Sequence, residues 1–94
     1  MLYQVIGVGR KVGEFTPRDN PNQDIHYDNT VFHVVGLKKT IGVTGQIAEQ
    51  LSIKTVDVGE IVEAVGGKIE QAIGRQFDFE TRYGNKIRSW ELVK

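Results

Sequence analysis

Cationic side chains interleave with aromatic rings in two stretches of this chain. The first is Arg10, Lys11, Phe15 and Arg18. The second is Arg75, Phe77, Arg82, Tyr83, Lys86, Arg88 and Trp90. Tyr27 and the pair Lys38-Lys39 lie between them. Cations neutralise phosphates and flat rings stack on unpaired bases. The combination suits a single-stranded nucleic acid, with each stacked base worth about 1–3 kcal/mol whatever its identity. The candidate contacts are therefore Arg10, Lys11, Phe15, Arg18, Tyr27, Lys38, Lys39, Arg75, Arg82, Tyr83, Lys86 and Arg88. Phe77, Phe79 and Trp90 can serve either as core or as a stacking platform, because alternating aromatic residues on strands do both. Tyr83, beside the turn signal Gly84-Asn85, and Phe15, beside a polar loop, are the best placed for exposure. Tyr27 and Phe32 fall on opposite faces of one strand, so at most one of them faces a core.

Other chemistries find little support. With no cysteine there is no disulfide, thiolate zinc site or thiol nucleophile. Gly7-Val8-Gly9 opens like a dinucleotide fingerprint, but the third glycine is Gly13, and a polar loop follows where a helix should begin. Gly66-Gly67-Lys68-Ile69 lacks the earlier glycine and the following Ser or Thr of a phosphate loop. Asp24, His26 and Asp28 share one strand face but have no fourth partner, and no metal is expected. His26 and His33 face opposite ways, and no nucleophile–base spacing or carboxylate pair stands out. Neither enzyme nor cofactor is expected.

The elements that position these residues follow from pattern. Residues 2–8 and 25–37 are β-branched and aromatic and predict strands. Between them, residues 16–24 contain no apolar side chain and predict a long polar loop. Residues 44–51 predict a short helix capped by Thr44, with Ile47, Ala48 and Leu51 on one stripe. Residues 58–65 predict a strand ended by Gly66-Gly67, and residues 68–73 one helical turn or a loop. Residues 75–83 and 86–93 predict a hairpin turning at Gly84-Asn85. The fold class is therefore mainly β. One domain spans residues 1–94, as a small five-stranded Greek-key barrel of the OB type with one short helix.

The 94 residues carry 12 basic and 12 acidic groups, so the net charge is zero and a uniformly basic coat for duplex DNA is excluded. The balance is uneven: residues 1–40 carry +1, residues 41–70 carry −3 and residues 71–94 carry +2. This predicts a polarised surface where the segments lie on different faces, and ordinary scatter over a solvated surface where they do not. Met1 to Val5 has no basic segment or long apolar run, and no stretch is long enough to span a bilayer, so a cytoplasmic protein without membrane contact is expected.

Residues 8–15, Val-Gly-Arg-Lys-Val-Gly-Glu-Phe, and residues 27–35, Tyr-Asp-Asn-Thr-Val-Phe-His-Val-Val, resemble the opening half of small phage- and plasmid-type single-stranded-DNA-binding proteins, such as those of filamentous phage. Residues 58–62 and 77–87 resemble their closing half, and together these stretches cover about half the chain. The resemblance implies an OB-type fold and sequence-tolerant binding of single-stranded DNA, or RNA, in the replication or transfer of a mobile element. It also implies a homodimer or higher homo-oligomer. It places Arg10, Lys11, Phe15 and Arg18 on a first binding wing and Tyr83 on the last hairpin. The chain ends Leu92-Val93-Lys94, without the acidic tail of cellular relatives. Two other readings compete. One is a barrel that binds protein as an adaptor. The other is a duplex-binding helix-turn-helix over residues 44–61, although Gly59, Asp57 and Glu60 suit its second helix poorly.

Overall fold

The computed structural model describes residues 1–19, 21–38 and 41–94. Five strands make up one sheet: β1 (Leu2–Phe15), β2 (Ile25–Gly36), β3 (Ala48–Lys54), β4 (Gln76–Arg82) and β5 (Lys86–Leu92). One short helix, α1 (Gly59–Ala64), lies between β3 and β4, flanked by 3-10 turns at Thr55–Asp57 and Ile69–Ala72. Among the described residues no helix is long and apolar enough to cross a membrane.

The strand ladder runs β1-β2-β3-β5-β4 and returns to β1. All pairs are antiparallel except β3 with β5, which meet in parallel at Ser52 and Lys86. The Ser52 amide donates to the Asn85 carbonyl at 3.0 Å, which ties the tip of the β4–β5 hairpin to β3. The two arms of β1 have different partners. Leu2–Gln4 pairs with Asp78–Gln76 of β4, while the strand pairs with β2 along its whole length. A bulge at Ile6 separates the arms. Beyond Asn29, the last β2 residue that β3 reaches, β1 and β2 continue as a two-stranded ribbon to Phe15 and Ile25. This projecting ribbon helps to explain a radius of gyration of 15.1 Å, against about 12 Å for a compact chain of this length.

The core forms where strand alternation turns apolar residues inward. Val5, Phe32, Val34, Leu51, Phe77 and Phe79 are all buried. Phe77 and Phe79 stack at 5.0 Å, and Trp90 meets Phe77 edge-on at 6.1 Å, so these rings are core and not a stacking platform. Tyr3 is buried against Phe79 and gives its hydroxyl to Glu49 on β3. Burial, with Glu49 adding to it, pushes its hydroxyl pKa up to about 12.

The middle of the chain reverses two expectations. Residues 48–54 form a strand, not a helix: Leu51 and Ile53 face the core while Gln50 and Ser52 alternate away. Residues 59–64 form a helix, not a strand. Val58, Ile61, Val62 and Val65 recur at i, i+3, i+4 and i+7 and pack as one stripe on the core. The helix stops in a Schellman-type cap, with the Gly67 amide donating to Val62 and that of Gly66 to Glu63, both glycines at positive φ. Because residues 44–54 contain no helix, the helix-turn-helix reading is excluded.

The Arg10 guanidinium forms a forked pair with the Asp28 carboxylate, with Nε to Oδ1 at 2.8 Å. Asp28 also accepts from the Thr55 hydroxyl at 2.7 Å, which joins β1, β2 and the turn into α1. These bonds hold the Asp28 carboxyl at about 2, with the guanidinium as the larger cause. A carboxyl whose pKa is lowered on folding stabilises the fold above its unfolded value and loses that contribution as pH falls. The window here is about pH 4 down to 2. Asp28→Asn is expected to flatten the fall of the urea midpoint across that window. An unchanged slope would mean that the pair does not persist in solution. Ile61→Ala removes a fully buried side chain and is expected to lower unfolding free energy by about 2–5 kcal/mol, measured by urea denaturation.

Candidate nucleic-acid interface

Register decides which side chains share a face. On β2, Thr30, Phe32 and Val34 point into the core, so Tyr27, Asn29, Val31 and His33 point out. Their partners on β1 are Gly13, Lys11, Gly9 and Gly7. Those on β3 are Lys54 opposite Asn29, Ser52 opposite Val31, and Gln50 opposite His33. Lys11, Asn29 and Lys54 thus form one row across three strands, and Ser52 leads on to Lys86 of β5. Glu14, Asp28 and Glu49 have the opposite parity. The outer face of β1–β3 therefore carries lysines and no strand carboxylate, although the whole chain is neutral.

A cleft of about 350 Å³ opens between this face and the β4–β5 hairpin. Tyr27, Asn29, Ser52, Lys54, Arg82 and Lys86 line it, with Asp57 as the one carboxylate on its wall. Among the described residues, no ion pair engages Lys11, Lys54, Arg82 or Lys86, so their charge is free to meet an anion. Tyr27 is held flat over the β1 backbone, since a Cβ at Gly13 would lie 2.4 Å from its hydroxyl. Phe15 leans on it at 6.5 Å and is 52% exposed. Tyr83, at the hairpin tip, is 99% exposed. Gly84 and Asn85 both take positive φ to make that tip.

The structure thus gathers part of the predicted set and disperses the rest. Tyr27, Arg82 and Lys86 line the cleft, and Lys11 and Phe15 share its sheet face. Arg18 is exposed in the β1–β2 loop. Arg10 has the opposite parity to Lys11 and is committed to Asp28. Lys38 follows the far end of β2, beside Met1 and Leu2, while the Arg75 carbonyl is bonded to the Val5 amide at the β1–β4 seam. Arg88 is exposed on β5 and does not line the cleft, and Lys39 lies outside the described residues. The metal candidates are engaged separately: Asp24 accepts from Thr16, His26 sits 3.3 Å from Glu14, and Asp28 holds Arg10.

Lys54, Asn29 and Ser52 are the residues that sequence reasoning missed. The alternation Gln50, Ser52, Lys54 against Leu51 and Ile53 carried the signal, but a helix assigned over residues 44–51 concealed it. Glu60 and Glu63 of α1 lie away from the cleft, on a surface that Asp57 links to its wall. No protein-family model matches the chain, and comparison with curated proteins and with solved structures returned no match.

Proposed function

We propose that this chain is an OB-type Greek-key barrel that binds single-stranded DNA without strong sequence preference, coating single strands for a phage, plasmid or similar mobile element as a homodimer or higher oligomer. The fold assignment rests on the closed order β1-β2-β3-β5-β4, the parallel β3–β5 contact and the helix between β3 and β4. In such folds the β2–β3 face and the loops after β1 and between β4 and β5 bind oligonucleotides. The cleft lies in that position.

The single observation that carries the reading is the sorting of charge by strand parity. Lys11 and Lys54 flank Asn29 on the face where Tyr27 and Phe15 offer rings, while Glu14, Asp28 and Glu49 point the other way. Phosphates can meet the lysines as bases meet the rings. A duplex hides its base faces in the stack, so exposed rings such as Phe15 and Tyr83 favour unpaired strands. Among the described residues the one α-helix, α1, is six residues long and packs its apolar stripe on the core, so it is not offered to a major groove.

Anisotropy of labelled oligothymidylate is expected to report binding that weakens steeply with salt and that duplex of equal length does not displace. Lys54→Gln is expected to make the log–log salt slope shallower by about 0.7, the contribution of one phosphate contact on a single strand. Tyr83→Ala should weaken binding about fivefold or more while leaving the melting temperature unchanged, because the ring is fully exposed. Absence of binding at micromolar protein and low salt would refute the proposal.

A further inference from the structure

Resting on that reading, we propose that His33 is a second base-stacking position, at the far end of a track floored by the bare backbone of Gly7 and Gly9. His33 is exposed on the outer face of β2, between Gly7 on β1 and Gln50 on β3. A Cβ at Gly7 would lie 3.5 Å from the His33 Cβ, and one at Gly9 would lie 4.0 Å from Nε2. The imidazole therefore leans over β1 across both glycines, as Tyr27 leans over Gly13. Tyr27 and His33 share a face and stand six residues apart on one strand, a separation of about 20 Å. That distance holds about six stacked nucleotides, or about three when the strand is drawn out to twice the stacked spacing. Between the two rings lie Asn29, Val31, Lys11, Ser52 and Lys54, with polar groups and cations and no strand carboxylate, and Asp57 stands on the cleft wall near the Tyr27 end.

The glycines support the same assignment. Gly13 has a local reason to lack a side chain, because Tyr27 fills the space. Gly7 adjoins the β1 bulge, where glycine is common, but Gly9 has no such reason. Neither takes positive φ, and a Cβ at either would make no contact closer than ordinary van der Waals distance. Glycine inside a strand weakens it, and a β-branched residue would suit the ladder better. What a side chain at Gly9 would take away is the open floor beside His33.

The test is competition for labelled oligothymidylate dodecamer at low salt, with the unsubstituted protein and each variant compared under the same conditions. His33→Ala is expected to weaken binding about fivefold or more, the lower end of one base stack. His33→Phe is expected to restore it, since phenylalanine stacks but neither titrates nor hydrogen-bonds. Gly9→Val is expected to weaken binding with the melting temperature kept or raised. Full binding by His33→Ala, or equal weakness in His33→Ala and His33→Phe, would overturn the stacking role. Full binding by Gly9→Val would overturn the floor. If the unsubstituted protein bound no oligothymidylate, the function proposed above would itself fall, a result distinct from any of these.

Discussion

The outer face depends on one extra residue in β1. Before the bulge, Tyr3 and Val5 face the core, opposite Gly36 and Val34. After it, Val8 pairs with Phe32 and packs on the core, so odd-numbered residues turn outward. Ile6 is the residue left over, and it is exposed. A bulge inserts one residue and bends the strand, and a one-residue change of register sends every later side chain to the other face. Without it, Lys11 and Phe15 would point with Tyr3 and Val5, and Arg10 would turn outward, away from Asp28 on β2. The same bend lets β1 hold β4 with its first arm and then leave it to run out with β2.

The other wall of the cleft hangs on a weaker link. Arg82, Tyr83 and Lys86 belong to a hairpin whose base is fixed by the aromatic core, through Phe79 opposite Trp90. Its tip meets β3 through one parallel pair and the Ser52–Asn85 hydrogen bond. A single backbone hydrogen bond contributes on the order of 1 kcal/mol. The cleft is thus rigid along β2 and β3 and held by little at the hairpin. Such an arrangement suits a flexible chain of unpaired nucleotides better than a ligand of fixed shape.

β2 and the β4–β5 hairpin were legible in the sequence; the second half of β1, where the strand predicted over residues 2–8 runs on to Phe15, and the middle of the chain were not. Residues 25–37 carry β-branched and aromatic runs, and residues 75–93 add the Gly84-Asn85 turn to their alternation, so local and long-range preferences agree there. In residues 44–65 the two signals conflict. Val58, Ile61, Val62 and Val65 have helical spacing but β-favouring side chains. Spacing won because the stripe could be buried, and burial outweighs the few tenths of a kcal/mol in intrinsic propensity. Residues 48–54 offer only two clear apolar positions, Leu51 and Ile53, too few to reveal a period. The lost strand took Ser52 and Lys54 with it, so the β3 wall of the cleft went unseen. The cationic list left the two faces unsorted for a related reason. A count of Arg and Lys ignores parity, and parity is what separates Arg10 from Lys11.

Zero net charge is compatible with binding a polyanion because of the distances involved. At physiological salt, a phosphate senses charges within about 8 Å and is largely screened from those beyond. The outer face presents Lys11 and Lys54 on either side of Asn29, within one row of adjacent strands about 4.8 Å apart. The carboxylates around α1 belong to another part of the surface, with Asp57 alone reaching the cleft wall. What a strand on this face encounters is therefore the local arrangement and not the sum over the chain. The acidic remainder also has an effect of its own. It keeps the long-range field of the whole chain weak, so any attraction of this face for a polyanion is short-ranged.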